Sequence, residues 1–166
     1  MSALEKSDLR TVRDAIASTY PEGSKVRRSG LNCYALVRDC YVCFNIQNDK
    51  YKPTVGLKFC VNWGVVPVKV FVADPHGFFG NTPSYLYADF LSGRGRLTKS
   101  PSLMDQWFAP KTTADLNQVA VELQTHAERL WEDRLLAMTD ANWHIETWQK
   151  RSAPIAKEYL AALLGH

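Results

Sequence analysis

The chain has 166 residues, of which 46% are hydrophobic and 22% are charged, as in an ordinary globular protein. A chain of this length buries about 70% of the surface that its unfolded form exposes, so it needs no metal or disulfide for stability. The formal net charge of +3 is too small to require a nucleic-acid or membrane partner. No apolar run approaches the ~20 residues of a membrane-spanning helix, and no signal peptide is visible. We expect a single cytoplasmic domain over residues 1–166.

The first predicted element is an amphipathic helix. Its apolar residues recur at helical spacing, at Leu9, Val12 and Ile16. We expect this helix to end before Pro21, because the residue before a proline avoids the helical region of backbone space. A short strand over residues 25–29 is expected to follow.

The next segment predicts an antiparallel β-meander. Arg38 and Asp39 form the expected two-residue turn, which pairs Val37 with Cys40. Alternate side chains of a strand point to opposite faces. One face is therefore apolar and consists of Leu31, Cys33, Ala35, Val37, Cys40, Val42, Phe44 and Ile46. A following strand is expected to send Val55, Leu57, Phe59, Val61 and Trp63 to the same core.

The opposite face of the meander carries amides and aromatic rings. We call it the amide face, and it consists of Asn32, Tyr34, Tyr41, Cys43, Asn45, Gln47, Lys58, Cys60 and Asn62. Asn and Gln are depleted in strands, so their concentration on one face needs a reason. The face is either a solvated surface, or is covered by residues 74–111, or binds a ligand or protein.

The four cysteines, Cys33, Cys40, Cys43 and Cys60, all fall on predicted strands. Cys40 and Cys43 resemble half of a zinc site by spacing, but residues three apart on a strand point to opposite faces. Free cysteine in a core behaves as a small hydrophobe. We expect structural cysteines, with no metal and no cofactor.

The second half of the chain predicts helices. Residues 68–73 (VKVFVA) are expected to add a strand, and residues 74–111 form a long irregular connection, a feature that is often functional. Thr112 and Asp115 cap the clearest helix, and further helices begin near Thr139 and Ser152. The predicted fold is α+β: an antiparallel β-meander of four to five strands, with an N-terminal helix and C-terminal helices packed on one face.

These residues resemble a bacterial family, the domain of unknown function 4304, over residues 26–108. That family has a basic strand with a glycine, an aromatic residue, a strand ending near N-x-Q, and an F-x-V-N-x-G-V strand. The matching positions are Gly30, Tyr34, Asn45, Gln47, Phe59, Val61, Asn62, Gly64 and Val65. An arginine upstream of the family's D-x-W-W motif matches Arg94 or Arg96, followed by Asp105 and Trp107, with Phe108 in place of the second tryptophan. Some members of that family occur beside bacterial toxins, so the resemblance implies an immunity role for this chain.

No catalytic motif accompanies this pattern. The chain lacks a nucleophile elbow, a P-loop, a dinucleotide-binding glycine motif and a zinc-protease motif. His76 lies close to Asp74 in a turn sequence that most often serves only as a turn. No catalytic residue is assigned, and an enzymatic site near His76 and Asp105 is the weakest hypothesis.

Two binding hypotheses remain. The first is a non-catalytic protein-binding module, specifically an immunity-type protein that masks a bacterial toxin. The second is a single-stranded nucleic-acid or nucleotide binder that uses the basic, aromatic sheet. We expect a protein partner before nucleic acid, no membrane, and a monomer or weak dimer. The candidate binding residues are Asn32, Tyr34, Tyr41, Asn45, Gln47, Lys58, Asn62, Arg94, Arg96, Asp105 and Trp107.

Overall fold

The structure is a computed structural model that describes residues 3–49, 56–75, 77, 80–84, 93–100, 103 and 105–165. The predicted core residue Val55 lies outside the described residues. The described part is α+β, as predicted, with an antiparallel sheet, an N-terminal helix and C-terminal helices. None of its helices is long and apolar enough to cross a membrane.

Within the described residues the sheet has five antiparallel strands, and neighbouring strands follow the order of the chain. These strands are β1 (Arg27–Ser29), β2 (Asn32–Val37), β3 (Cys40–Asn48), β4 (Phe59–Pro67) and β5 (Arg94–Arg96). Strand β5 lies in the segment predicted to be irregular, because a three-residue strand is too short to show an alternating pattern. Strands β3 and β4 are the longest, at nine residues each, and form the middle of the sheet together with β2.

The predicted register of the first hairpin is confirmed. Val37 lies opposite Cys40 and Cys33 lies opposite Phe44. Arg38 takes a φ of 53° in the two-residue turn, a backbone conformation that a non-glycine residue adopts at a cost. Asp140 lies 3.4 Å from the Arg38 guanidinium, so the turn is tied to a later helix.

The described helices are α1 (Arg10–Ala17), α2 (Val68–Ala73), α3 (Thr113–Leu130), α4 (Leu136–Met138), α5 (Ala141–Gln149) and α6 (Pro154–Leu164). Helices α1, α3, α5 and α6 begin close to the predicted signals, whereas α2 was not predicted as a helix. A 3₁₀ turn over Lys6–Leu9 precedes α1, and a π-helical turn over Trp131–Leu135 joins α3 to α4. Thr112 and Asp115 cap α3 reciprocally, and Gly165 ends α6 with a φ of 79°.

Helices α1 and α3 cover the apolar face of the sheet. Their apolar stripes and the sheet's apolar face form one buried cluster, in which Trp63, Phe44 and Leu123 are each no more than 2% exposed. The predicted core residues Leu57, Phe59 and Val61 are also buried there. The alternation in the sequence therefore identified the inner face of the meander.

The prediction of a strand over residues 68–73 is wrong, because these residues form helix α2. Strand β4 continues through Pro67, which pairs with Cys40 and then caps α2. The helix buries Val70 in a second apolar cluster with Val66 and Trp148, while Val72 is 75% exposed. An alternating run of β-branched residues favours a strand, but packing against α6 decides the outcome here.

Candidate binding site on the amide face

The register of the sheet brings the predicted amides into one row that crosses all five strands. Asn32 lies opposite Asn45, Asn45 lies opposite Asn62, and Asn62 lies opposite Arg96. Ser29 of β1 lies opposite Asn32 and completes the row. Residues that the sequence places up to 67 positions apart therefore share one line on the same face.

The amides of this row bond to each other. Asn45 Nδ2 donates to Asn32 Oδ1 at 2.5 Å. Asn62 Nδ2 donates to Gln47 Oε1 at 3.0 Å and to Asn45 Oδ1 at 3.3 Å. Cys60 Sγ lies 3.8 Å from Gln47 Oε1. The amides of this face therefore form a hydrogen-bonded ladder, which holds each side chain in a fixed orientation.

Exposure changes along this ladder. Asn62 is only 5% exposed and Cys60 is fully buried, whereas Asn32 and Gln47 are exposed. The inner amides thus satisfy the requirement that buried polar groups be paired. In the described part of the chain, Asn32 Nδ2 and Gln47 Nε2 have no acceptor, so the outer amides present free donors to solvent.

Trp107 adjoins the Arg96 end of the row because Phe108 pairs with the start of β4. The backbones of Phe59 and Phe108 exchange hydrogen bonds of 3.0 Å and 2.8 Å, and the Phe108 side chain is buried in the core. Neighbouring side chains in an extended segment point to opposite sides. Trp107 is therefore turned toward the amide face, where it is partly exposed.

The Trp107 indole is held by charged groups. The Arg96 guanidinium carbon lies 5.3 Å and the Lys58 ammonium 5.6 Å from its ring centroid, both within cation–π range. Trp107 Nε1 donates to Asp105 at 3.3 Å, and Asp105 also pairs with Arg96. The hydrogen bond from Arg96 lowers the pKa of Asp105 below its ordinary value. We call Lys58, Arg96, Asp105 and Trp107 the Trp107 cluster.

Three further candidates take different positions. Tyr34 contacts Tyr41 edge to face at 6.4 Å, and Tyr41 contacts Phe71 of α2 at 5.3 Å. Tyr41 thereby packs against the second apolar cluster, at the end of the face away from the amides. Arg94 lies opposite Gly64 on β5 and is exposed. The structure brings Arg94 to the same face as Arg96 and leaves Tyr41 at the margin of the site.

The basic residues of the sheet region are largely neutralised. Arg28 pairs with Asp14 at 3.0 Å and Lys58 with Asp49 at 3.5 Å, in addition to the pair between Arg38 and Asp140. The sequence interpretation missed Asp49 as a member of the site, although its charge at the end of β3 was visible. Paired in this way, the cations present less net field to a partner than their number indicates.

The cysteines are free and buried. Burial raises the pKa of the Cys33 thiol to about 11 and also raises that of Cys60. A thiol that stays protonated is a poor nucleophile and a poor metal ligand. Among the described residues no group of three or more His, Cys, Asp or Glu side chains is placed to hold a metal ion.

The described residues do not add support for the hypothesis of an enzymatic site near His76 and Asp105. His76 lies outside the described residues. Asp105 is exposed and its carboxylate is occupied by Arg96 and Trp107. The role of Asp105 in the described structure is to hold the Trp107 cluster together.

Comparison of the chain with protein-family models, with curated proteins and with solved structures finds no match. The resemblance to the domain of unknown function 4304 therefore stays a prediction that depends on the short motifs quoted above. Any functional interpretation depends on the site itself.

Proposed function

We propose that this chain is a non-catalytic protein-binding module whose contact surface is the exposed edge of the amide face around Trp107. The observation that carries the proposal is the fixed position of a partly exposed tryptophan on the same sheet face as free amide donors. Trp107 is held by Arg96, Lys58 and Asp105, and Gln47 lies on β3 opposite Cys60, on the same face.

The composition of this surface suits an interface with a protein. Trp, Tyr and Arg are the residues that most often dominate binding energy in protein interfaces. A side chain already held in its bound orientation loses little conformational entropy on association, so its contact contributes more to affinity. The ladder supplies this order for Gln47, since the Gln47 carbonyl oxygen accepts from Asn62 and its nitrogen stays available.

The same geometry favours a protein over a nucleic acid. Single-stranded nucleic acids bind through open aromatic faces and unpaired cations. Here Trp107 already carries a guanidinium and an ammonium over its ring, and Arg96 and Lys58 already pair with carboxylates. A base and its phosphate would have to displace these contacts.

The partner class that we propose is a bacterial toxin, as the family resemblance implies. Immunity-type proteins complement the charge around a toxin's active site. Exposed Arg94, Arg27 and the free amide donors of Gln47 and Asn32 would suit an acidic, acceptor-rich surface. This supports the immunity form of the proposal without requiring chemistry from the chain.

Affinity capture from the source organism, with and without nuclease, tests the proposal. The wild-type chain should retain a stoichiometric protein partner after nuclease treatment. Trp107→Ala and Gln47→Ala should each weaken binding of the purified partner in calorimetry, by at least about tenfold for the tryptophan.

The matched control is Val121→Ala, which truncates an apolar side chain that is 66% exposed on α3, on the other side of the sheet. This control should leave the affinity unchanged. Loss of the captured partner on nuclease treatment, or equal weakening by Val121→Ala and Trp107→Ala, would contradict the proposal. Melting temperatures of all variants separate lost binding from lost folding.

A further inference from the structure

A cavity lies on the opposite side of β5 from the amide face. It has a volume of about 450 Å³ and is lined by three separate segments of the chain: β4 and β5, the residues after β5, and the end of α3 with the π-helical turn. Trp63 and Gly95 form its floor. A Cβ at Gly95 would lie 2.6 Å from Trp63 Cζ2, so glycine lets β5 lie directly on the indole.

The π-helical turn supplies one wall of this cavity. Asp133 and Arg134 lie within it and line the cavity. The Arg134 guanidinium carbon lies 5.1 Å from the centre of the Trp63 ring. A π-helical turn inserts one extra residue into a helix, and such turns occur frequently at functional sites.

The lining is strongly basic. Its charged residues are Arg96, Lys99, Arg129, Asp133 and Arg134. Arg96 is already paired with Asp105, which leaves three cations against one carboxylate. Arg129 donates to the Lys99 backbone carbonyl at 3.2 Å, which brings these two cationic residues together. The remaining charge of +2 matches a phosphate monoester, which carries about −1.5 to −2 at neutral pH.

His126 adds an unsatisfied polar group to the same lining. Its Nδ1 atom is buried, and no hydrogen-bond partner for it exists among the described residues. Burial, followed by the nearby Arg129 charge, lowers the pKa of His126, so the ring is neutral at neutral pH. Buried polar atoms in native proteins are nearly always paired, and an exception calls for an explanation such as a ligand.

The remaining wall is apolar. Leu97, Leu103 and Leu130 line the cavity, and Leu103 is 38% exposed. An inorganic anion would neutralise the cations but leave Leu103 and the partly exposed Leu130 facing solvent. We propose that the cavity binds a small phosphorylated organic molecule, with its phosphate on Lys99, Arg129 and Arg134 and its apolar body against the leucines. This site shares Arg96 with the Trp107 cluster but uses other residues for the phosphate, and it does not depend on the proposed protein-binding function.

Calorimetry with adenosine monophosphate, phenyl phosphate, adenosine and inorganic phosphate tests the proposal. We expect at least one of the two esters to bind with a dissociation constant below about 1 mM, and adenosine and inorganic phosphate to bind at least about tenfold more weakly. The double variant Lys99→Gln/Arg134→Gln should weaken ester binding by at least about tenfold. The double variant Lys150→Gln/Lys157→Gln, which removes the same charge from exposed helix positions, should not.

Imidazole resonances of His126 in the wild-type chain provide a second measurement that needs no variant. Addition of the bound ester should shift the His126 signals and leave those of His144, which is buried elsewhere, in place. Binding of neither ester, equal binding of inorganic phosphate, equal weakening by both double variants, or unshifted His126 signals would each overturn the proposal.

Discussion

At the scale of single residues, Trp63 links the core of the sheet to β5 and to the π-helical turn. It is 2% exposed, lies against Gly95 of β5 and carries the Arg134 guanidinium over its ring. Trp63→Ala should lower the free energy of unfolding by about 3–5 kcal/mol, because it leaves a cavity in the core. Urea denaturation measures the loss. Trp107→Ala is the matched control, since the same truncation at a partly exposed site should cost clearly less.

The residues of the amide ladder are expected to contribute differently to folding stability and to binding. Asn62→Ala removes a buried donor that serves both Gln47 and Asn45, so it should lower the free energy of unfolding by about 1–3 kcal/mol. Asn45, which bonds on both sides, should show a smaller loss of the same sign. Gln47→Ala should cost less than Asn62→Ala, because its side chain is exposed and Asn45 Oδ1 remains as an acceptor for the Asn62 amide. Denaturation of the three variants checks this order, and a large loss for Gln47→Ala alone would contradict it.

At the scale of elements, the start of α5 contains a buried histidine that makes stability depend on pH. His144 is 1% exposed, and its Nε2–H donates to the Met138 carbonyl at 2.7 Å. Burial lowers the pKa of His144 from 6.5 to about 4, although the Met138 carbonyl opposes this shift. The unfolded chain therefore binds the proton more readily than the folded chain between these two values.

The sign of the pH effect follows from that difference. The stabilisation is complete above pH 6.5 and is lost as the pH falls toward about 4, by at most about 3 kcal/mol. His144→Gln keeps a donor for the Met138 carbonyl but cannot take up a proton, so its stability should fall less over the same range. Urea denaturation of both chains from about pH 7 to about pH 4 checks this. Parallel pH profiles would show that His144 does not contribute.

Helix α2 shows where sequence patterns stop being decisive. The run over residues 68–73 alternates apolar residues as a strand would, and Val, Phe and Val favour strands. The core of the sheet was readable because its alternation extends over two nine-residue strands and a shorter one. An apolar run of six residues is compatible with either a strand or a helix. Here the helix forms because the run packs against α6, which lies about 90 residues later in the chain.

At the scale of the whole molecule, the sequence pointed to one of the two proposed binding surfaces and missed the other. The amide face follows from local alternation, so its members could be named before the structure was known. The cavity below β5 joins Trp63, Lys99 and Arg134, which no local pattern connects. The exposure of the ladder also could not be predicted, because it depends on which residues of the connection after α2 lie against the face.

The distribution of paired charges over the molecule predicts weak binding to nucleic acid. Gel-shift with mixed single-stranded DNA and RNA at low salt should show no complex at micromolar concentration, because most cations of the sheet have carboxylate partners. The control is Arg27→Ala/Lys58→Ala, which removes two cations of the amide face. A micromolar complex that this double variant abolishes would instead promote the nucleic-acid hypothesis.

Hydrogen exchange of the chain, alone and in complex with its captured protein partner, tests the central claim most directly. Binding at the Trp107 cluster should protect backbone amides at the end of β3, around Lys58, and over residues 105–108, and leave α3 unchanged. Protection confined to α3 or to the α2–α6 side of the molecule would contradict the account, since the partner would then bind elsewhere.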